Sequence, residues 1–244
     1  TLFRSYTAMT INDVNGAGYA TGNVVYSEGS YLYNYQNPGN LTPFDNSHLY
    51  NGTDRGNYTE NSFAGIAIGK NTNIQETGNP TYYSGLAIGN YAQATGGISF
   101  ALGHYAQALS PSAMALGTAT KASGFNSLAM MRQSAAEGEF SAALGTASWA
   151  KGNGSFAMGY SATAKADQSI AIGAAETIKL PGQQHGTPSA QYNANGNTVT
   201  EGVRSLAFGT KARTSTAAAD SMAFGSSSST GGANAVAMGY SANA

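Results

Sequence analysis

Ser155-Phe156-Ala157-Met158-Gly159-Tyr160-Ser161-Ala162-Thr163-Ala164 carries the architecture of the chain in miniature. An apolar residue, an alanine, a second apolar residue and a glycine lead into a segment where small side chains alternate with tolerant positions. The phrase returns as Ile66-Ala67-Ile68-Gly69, Leu86-Ala87-Ile88-Gly89, Phe100-Ala101-Leu102-Gly103 and Met114-Ala115-Leu116-Gly117. It continues through Leu128-Ala129-Met130-Met131, Ala142-Ala143-Leu144-Gly145 and Ile170-Ala171-Ile172-Gly173. Leu206-Ala207-Phe208-Gly209, Met222-Ala223-Phe224-Gly225 and Val236-Ala237-Met238-Gly239 complete eleven copies. From position 89 to 173 they fall 14 residues apart. A fixed period of this kind marks a stack of units, none of which buries its apolar face alone.

Fourteen residues accommodate two short strands and two tight turns. In the phrase the large side chains sit two apart, on one face of a strand, with alanine on the other. In the second half, Ala92 and Ala94, Ala106 and Ala108, Ala162 and Ala164 alternate with positions that accept Gln93, Lys121, Trp149 or Arg213. That pattern gives a strand with one close-packed and one wet side. Helix is excluded, since a period of two carries no 3.6-residue signal. The glycine suits a turn with positive φ or close backbone approach. Met131 breaks that rule, so its turn is expected to adopt another geometry or lose regularity. The apolar pairs form a ladder: Ile66, Ile68, Leu86, Ile88, Phe100, Leu102, Met114, Leu116, Phe156, Met158, Ile170, Ile172, Leu206, Phe208, Met222, Phe224, Val236 and Met238. They either fill the interior or face a neighbour. With four phenylalanines among them, part of the ladder is expected to lie against another copy of the chain.

Composition narrows the function. Charged residues are 9% of the 244 and the net charge is -1, so no broad basic surface for nucleic acid or anionic lipid is present. No apolar run approaches a membrane span and no signal peptide opens the chain, so direct membrane contact is not expected from this segment. There are no cysteines, hence neither disulfides nor thiolate metal sites. His48, His104 and His185 lie in unrelated contexts without carboxylates at ligand spacing. No nucleophile elbow, paired carboxylates or calcium-binding repeat is present, and Gly65-Ile66-Ala67-Ile68-Gly69-Lys70 is a repeat copy rather than a phosphate loop. An enzyme is not expected, nor a cofactor or a metal.

Seven phrases are preceded by serine: Ser99, Ser127, Ser141, Ser155, Ser169, Ser205 and Ser221. With the small-x-small strand that follows, the pattern resembles the YadA-like head of trimeric autotransporter adhesins over roughly residues 63–244. The resemblance implies an all-β fold, a left-handed parallel β-roll of about 14-residue turns assembled as a homotrimer. It further implies a head on a coiled-coil stalk, anchored in the bacterial outer membrane by a β-barrel. Such heads bind host matrix proteins such as collagen, fibronectin or laminin and promote autoaggregation and biofilm. A bacteriophage tail fibre or spike is the competing reading. An ice-binding solenoid is disfavoured because Thr118-Ala119-Thr120 and Thr214-Ser215-Thr216 do not recur in neighbouring turns.

Two regions depart from the period. Residues 1–62 lack the repeat and are rich in Tyr, Asn and Gly, which suits a cap over the first turn; Tyr31, Tyr33 and Tyr35 are candidate ligand contacts there. Residues 175–202 form an inserted loop with candidates His185 and Tyr192, and Thr198-Val199-Thr200 suggests a projecting hairpin or Ω-like loop. A shorter insertion holds Tyr82 and Tyr83. Trp149, the single tryptophan, is either an exposed anchor or packed over a neighbouring lysine.

Overall fold

The computed structural model describes residues 24–26, 58–60, 64–68, 73–75, 84–176 and 196–244. They are all-β, without helix among the described residues, and divide into two compact units, 1–112 and 113–244. Each is a parallel β-solenoid in which the phrase strands form one sheet and the short second strands another.

In the second unit the phrase sheet runs, in spatial and chain order, Met114–Leu116, Leu128–Met130, Ala142–Leu144, Phe156–Met158, Ile170–Ile172, Leu206–Phe208, Met222–Phe224 and Val236–Met238. The second sheet runs Lys121–Ala122, Ala135–Ala136, Trp149–Ala150, Thr163–Ala164, Val199–Thr200, Arg213–Thr214 and Ser229–Thr230. Register is strict: Phe156 pairs with Ile170, Ala157 with Ala171 and Met158 with Ile172. The first unit repeats the plan with Ala64–Ile68, Ser84–Ile88 and Ser99–Leu102, where Ile66 lies beside Leu86 and Ile68 beside Ile88. Val24–Tyr26 adds a further strand alongside Ile66–Ile68. Thr198-Val199-Thr200 belongs to no projecting hairpin. Val199–Thr200 pairs with Thr163–Ala164 on one side and Arg213–Thr214 on the other, so the insertion ends before it.

The interior is made of alanine. Ala129, Ala143, Ala157, Ala171, Ala207 and Ala223 of the phrases are 0% exposed, as are Ala122, Ala136, Ala150 and Ala164 of the second strands. The largest fully buried side chains are Gln133 and the threonines 120, 198, 200 and 214. No large apolar side chain enters the space between the sheets among the described residues. Towards the carboxyl end, threonines replace inner alanines and bond across the interior. Ser205 Oγ and Thr214 Oγ1 lie 2.7 Å apart, Ser221 Oγ and Thr230 Oγ1 3.0 Å, and Thr200 donates to Ser169 Oγ at 2.9 Å.

Four of the serines that precede a phrase have a structural reason. Ser141, Ser169, Ser205 and Ser221 donate to the carbonyls three residues earlier at 2.6, 2.7, 2.6 and 2.7 Å, closing one corner. Ser148 and Ser228 do the same at the opposite corner, each at 2.8 Å. Buried carbonyls need partners, and a short hydroxyl supplies one without demanding volume.

Both corners use left-handed backbone. The phrase-ending glycines supply part of it: Gly145 has φ +140, and a Cβ there would overlap the Gly159 carbonyl of the next turn. Met131 takes the first of the two expected alternatives, another geometry: its φ is +78 where the phrase-ending glycines lie between +118 and +157, and its N–H still bonds Leu116 O of the preceding turn at 2.9 Å. Inter-turn bonding holds a conformation that an isolated turn would avoid.

Among the described residues eighteen non-glycine residues have positive φ, and Ile98 at +56° is the β-branched one of these. Asn126 and Asn234 occupy the equivalent corner at +55° and +56°. Branching at Cβ crowds the left-handed region, which asparagine tolerates. Ile98 is also 39% exposed, so it buries little there. Ile98→Asn is therefore expected to raise stability by about 1 kcal/mol in urea unfolding. A destabilised variant would show that Ile98 contributes packing that outweighs its backbone strain.

Candidate interaction surfaces

The period of two that points alanines inward points the phrase's large side chains outward. In the second unit Met114, Met130, Met158, Ile170, Phe208, Phe224, Val236 and Met238 are exposed, and Leu116, Leu128, Leu144, Phe156, Ile172, Leu206 and Met222 half-buried. In the first unit Leu86, Ile88, Phe100 and Leu102 are half-buried. The ladder lies outside the roll rather than within it. No charged residue occurs in any phrase strand of the second unit. Within the ladder Phe208 and Phe224 stack at 4.8 Å with their planes 6° apart. A charge-free apolar face continuing from turn to turn is unusual on an isolated soluble domain and marks an interaction surface.

The outer face of the second sheet is polar. Lys121 Nζ and Glu137 Oε1 pair at 3.4 Å. The other carboxylate oxygen of Glu137 accepts the Trp149 indole N–H at 3.1 Å, and Lys151 Nζ lies 5.5 Å from the Trp149 ring centroid. Trp149 is thus half-buried and engaged by its own neighbours, the packed alternative of the two expected from sequence. Lys165 and Glu201 pair at 2.6 Å, and Lys211 and Glu176 at 3.0 Å. In the first unit Gln107 donates to Gln93 at 3.5 Å.

Aromatic pairs also lie at the corners. Tyr91 and Tyr105 stack at 4.6 Å, with the His104 ring edge-on to Tyr105 at 4.3 Å. Phe125 and Phe140 meet edge-to-face at 5.5 Å. The tyrosines are 14 positions apart, so their stacking was legible from spacing. The phenylalanines are 15 apart and belong to different positions of the repeat, so a 14-residue reading does not pair them. The candidates Tyr31, Tyr33, Tyr35, Tyr82, Tyr83, His185 and Tyr192 lie outside the described residues.

Electrostatics at one corner gives a measurable pH effect. Arg204 Nε and Nη2 donate to Asp220 Oδ1 and Oδ2 at 2.6 and 2.7 Å. These hydrogen bonds from Arg204 hold the Asp220 carboxyl below the usual carboxylate range, and the same contact raises Arg204. A carboxylate depressed in the folded state stabilises above its ordinary pKa and loses that contribution as pH falls through the folded value. Asp220→Asn is expected to lower neutral-pH stability slightly, because the pair is exposed, and to flatten the acid side of the stability profile by that same small amount. Urea midpoints at neutral and acidic pH check this, and an unchanged acid slope would sink it.

Among the described residues no group of three His, Asp or Glu side chains is placed to hold a metal ion. The surfaces offer shape, apolar area and hydrogen bonding rather than convergent reactive groups.

No curated protein matches the chain. The family model of the YadA head domain repeat, which spans two copies of the repeat, matches residues 83–106, 108–130, 136–161, 150–175 and 217–242. The gap between 175 and 217 contains the insertion. Residues 83–242 therefore belong to the YadA-like heads of trimeric autotransporter adhesins, a family of cell-surface adhesin modules.

Proposed function

We propose that the chain forms a homotrimeric adhesive head in which the phrase sheets of three copies face a common axis. The observation that carries this is the outward ladder: apolar, without charge, repeated from Leu86 to Met238 and uncovered in the single chain. Association removes that face from water, at about 25 cal/mol per Å² of apolar area before association costs are subtracted.

The trimer then presents what the axis leaves uncovered. The outer face of the second sheet, with Trp149 on it, repeats along each protomer. The candidates Tyr82, Tyr83, His185 and Tyr192 belong to the insertions, and Tyr31, Tyr33 and Tyr35 to the amino-terminal segment. Similar turns in three copies provide many weak contacts, and a repetitive partner is held by avidity rather than by one tight site. Collagen, fibronectin or laminin of the host matrix, and other copies of the head during autoaggregation or biofilm growth, are partners of that kind. In this reading the head is displayed at the bacterial surface by the stalk and outer-membrane barrel of the adhesin.

Light scattering of the chain, followed by binding of the same sample to immobilised collagen, fibronectin, laminin and bare plastic, tests both parts. A trimer with saturable binding to a matrix protein is expected. A monomer at every concentration removes the assembly, and a trimer that binds all surfaces equally removes the host-directed part.

A further inference from the structure

A ladder of similar turns has a weakness as an interface: sliding one chain past another by one turn presents nearly the same face again. Repetitive apolar surfaces specify register poorly unless some position is unique. The second unit contains such a position. In register along the phrase sheet, the first large residue of each phrase is Met114, Leu128, Ala142, Phe156, Ile170, Leu206, Met222 and Val236. Ala142 alone lacks a long side chain, leaving a notch between Leu128 and Phe156.

The same turn carries a projection. Phe140, two residues before Ala142, sits at the left-handed corner with φ +56 and is 61% exposed. Its backbone N–H bonds Phe125 O at 2.8 Å, and the two rings meet edge-to-face at 5.5 Å, so Phe125 supports it from the turn before. At the corner position of Phe140 the other turns of this unit carry Asn126, Gly154, Gln168, Arg204, Asp220 and Asn234. Among the described residues of this unit, the one large apolar side chain at this corner position therefore lies at the height of the one gap in the ladder. A cyclic assembly requires two different complementary patches on each subunit, and parallel copies about one axis meet at equal heights.

We infer that Phe140 of one protomer, backed by Phe125, seats in the Ala142 notch of the next protomer and fixes the axial register of the assembly. The inference rests on the trimeric reading above. Phe140 supplies a buried aromatic anchor of the type that concentrates binding energy, and the notch supplies its pocket.

Sedimentation equilibrium of the 244-residue chain and three variants tests it. Ala142→Phe fills the notch and is expected to weaken trimer formation at least about tenfold, the factor an anchor of this kind exceeds. Phe140→Ala is expected to weaken it similarly. The double variant F140A/A142F, in which the chain fills its own notch and withdraws its own knob, is expected to recover to within a few fold. Ala142 is half-buried on the outer face and Phe140 projects from a corner, and circular dichroism verifies that each variant keeps its β content. Equal or tighter assembly of A142F, or no recovery in the double variant, overturns the inference while leaving the trimer intact. A wild-type chain that stays monomeric overturns both.

Discussion

Ala157→Leu should collapse the stability of the second unit while conservative exchange at the same site is tolerated. Ala157 is 0% exposed, stacked in register between Ala143 and Ala171, with Ala150 and Ala164 of the opposite sheet also at 0%. The space between the sheets accommodates a methyl group and little more. Leucine adds three carbons with no cavity to receive them. Overpacking of a close-packed core costs about 1–3 kcal/mol and more where relaxation is blocked. Relaxation is blocked here, because separating the sheets at one turn displaces the turns above and below through their inter-turn hydrogen bonds. A loss of about 3 kcal/mol or more is expected in urea unfolding followed by circular dichroism, with a broadened transition as the stack breaks into two parts. Ala157→Ser should cost about 1 kcal/mol at most, since Ser134, Ser148 and Ser228 already occupy interior corners. If leucine is accommodated without loss, the phrase alanine does not line the interior.

That experiment addresses the step at which sequence reading stops short. The period of 14 and the alternation within each phrase were enough to define two short strands per turn and a parallel stack. Alternation identifies which residues share a face, however, and not which face is inside. Phe156 and Met158 against Ala157 allow either orientation until the volume between two sheets is known. In the second unit the inward strand positions are Ala or Thr, so the bulkier residues are turned outward against ordinary expectation. The uniformity of the central alanine was the available clue. Met131 shows the opposite limit. Glycine at a repeated turn suggests that only glycine fits, yet Met131 occupies that position at φ +78, and two residues further on Tyr105, Gln133, Ala147 and Ser161 take φ +56 to +60, held by bonds to the preceding turn. Local propensity yields there to the register of the stack. Val199 and Thr200 were legible as a strand but not in their pairing. The insertion separates them in sequence from Thr163 and Ala164, their neighbours in the sheet, and only the fold brings them back into the stack.

Phe208→Glu combined with Phe224→Glu should abolish assembly without unfolding the chain. The two rings are cross-strand neighbours in register, stacked at 4.8 Å, and each is about 40% exposed: 40% for Phe208 and 41% for Phe224. In the single chain two glutamates at these positions reach water, so their cost to the folded monomer is limited to lost stacking and mutual repulsion, about 1–2 kcal/mol. At a closed apolar interface the same carboxylates lose their solvent without gaining partners, since no lysine or arginine occurs in any phrase strand of this unit. An uncompensated buried charge costs about 3–5 kcal/mol, and a trimer would bury six of them about one axis. Even after water penetration, the association constant should fall by more than about a thousandfold, leaving monomer at micromolar concentration. Sedimentation velocity reads this directly, and circular dichroism separates it from unfolding. Phe208→Leu with Phe224→Leu keeps the face apolar and should remain trimeric. Loss of the trimer also has a consequence for adhesion: a monomer keeps each individual contact but not their simultaneous use. Apparent affinity for a repetitive matrix surface should then drop by about 10²–10⁴ although no ligand-contacting residue has changed. A glutamate variant that still sediments as a trimer would move the interface away from the phrase sheet. Undiminished matrix binding by a verified monomer would instead place adhesion in a single site within one chain.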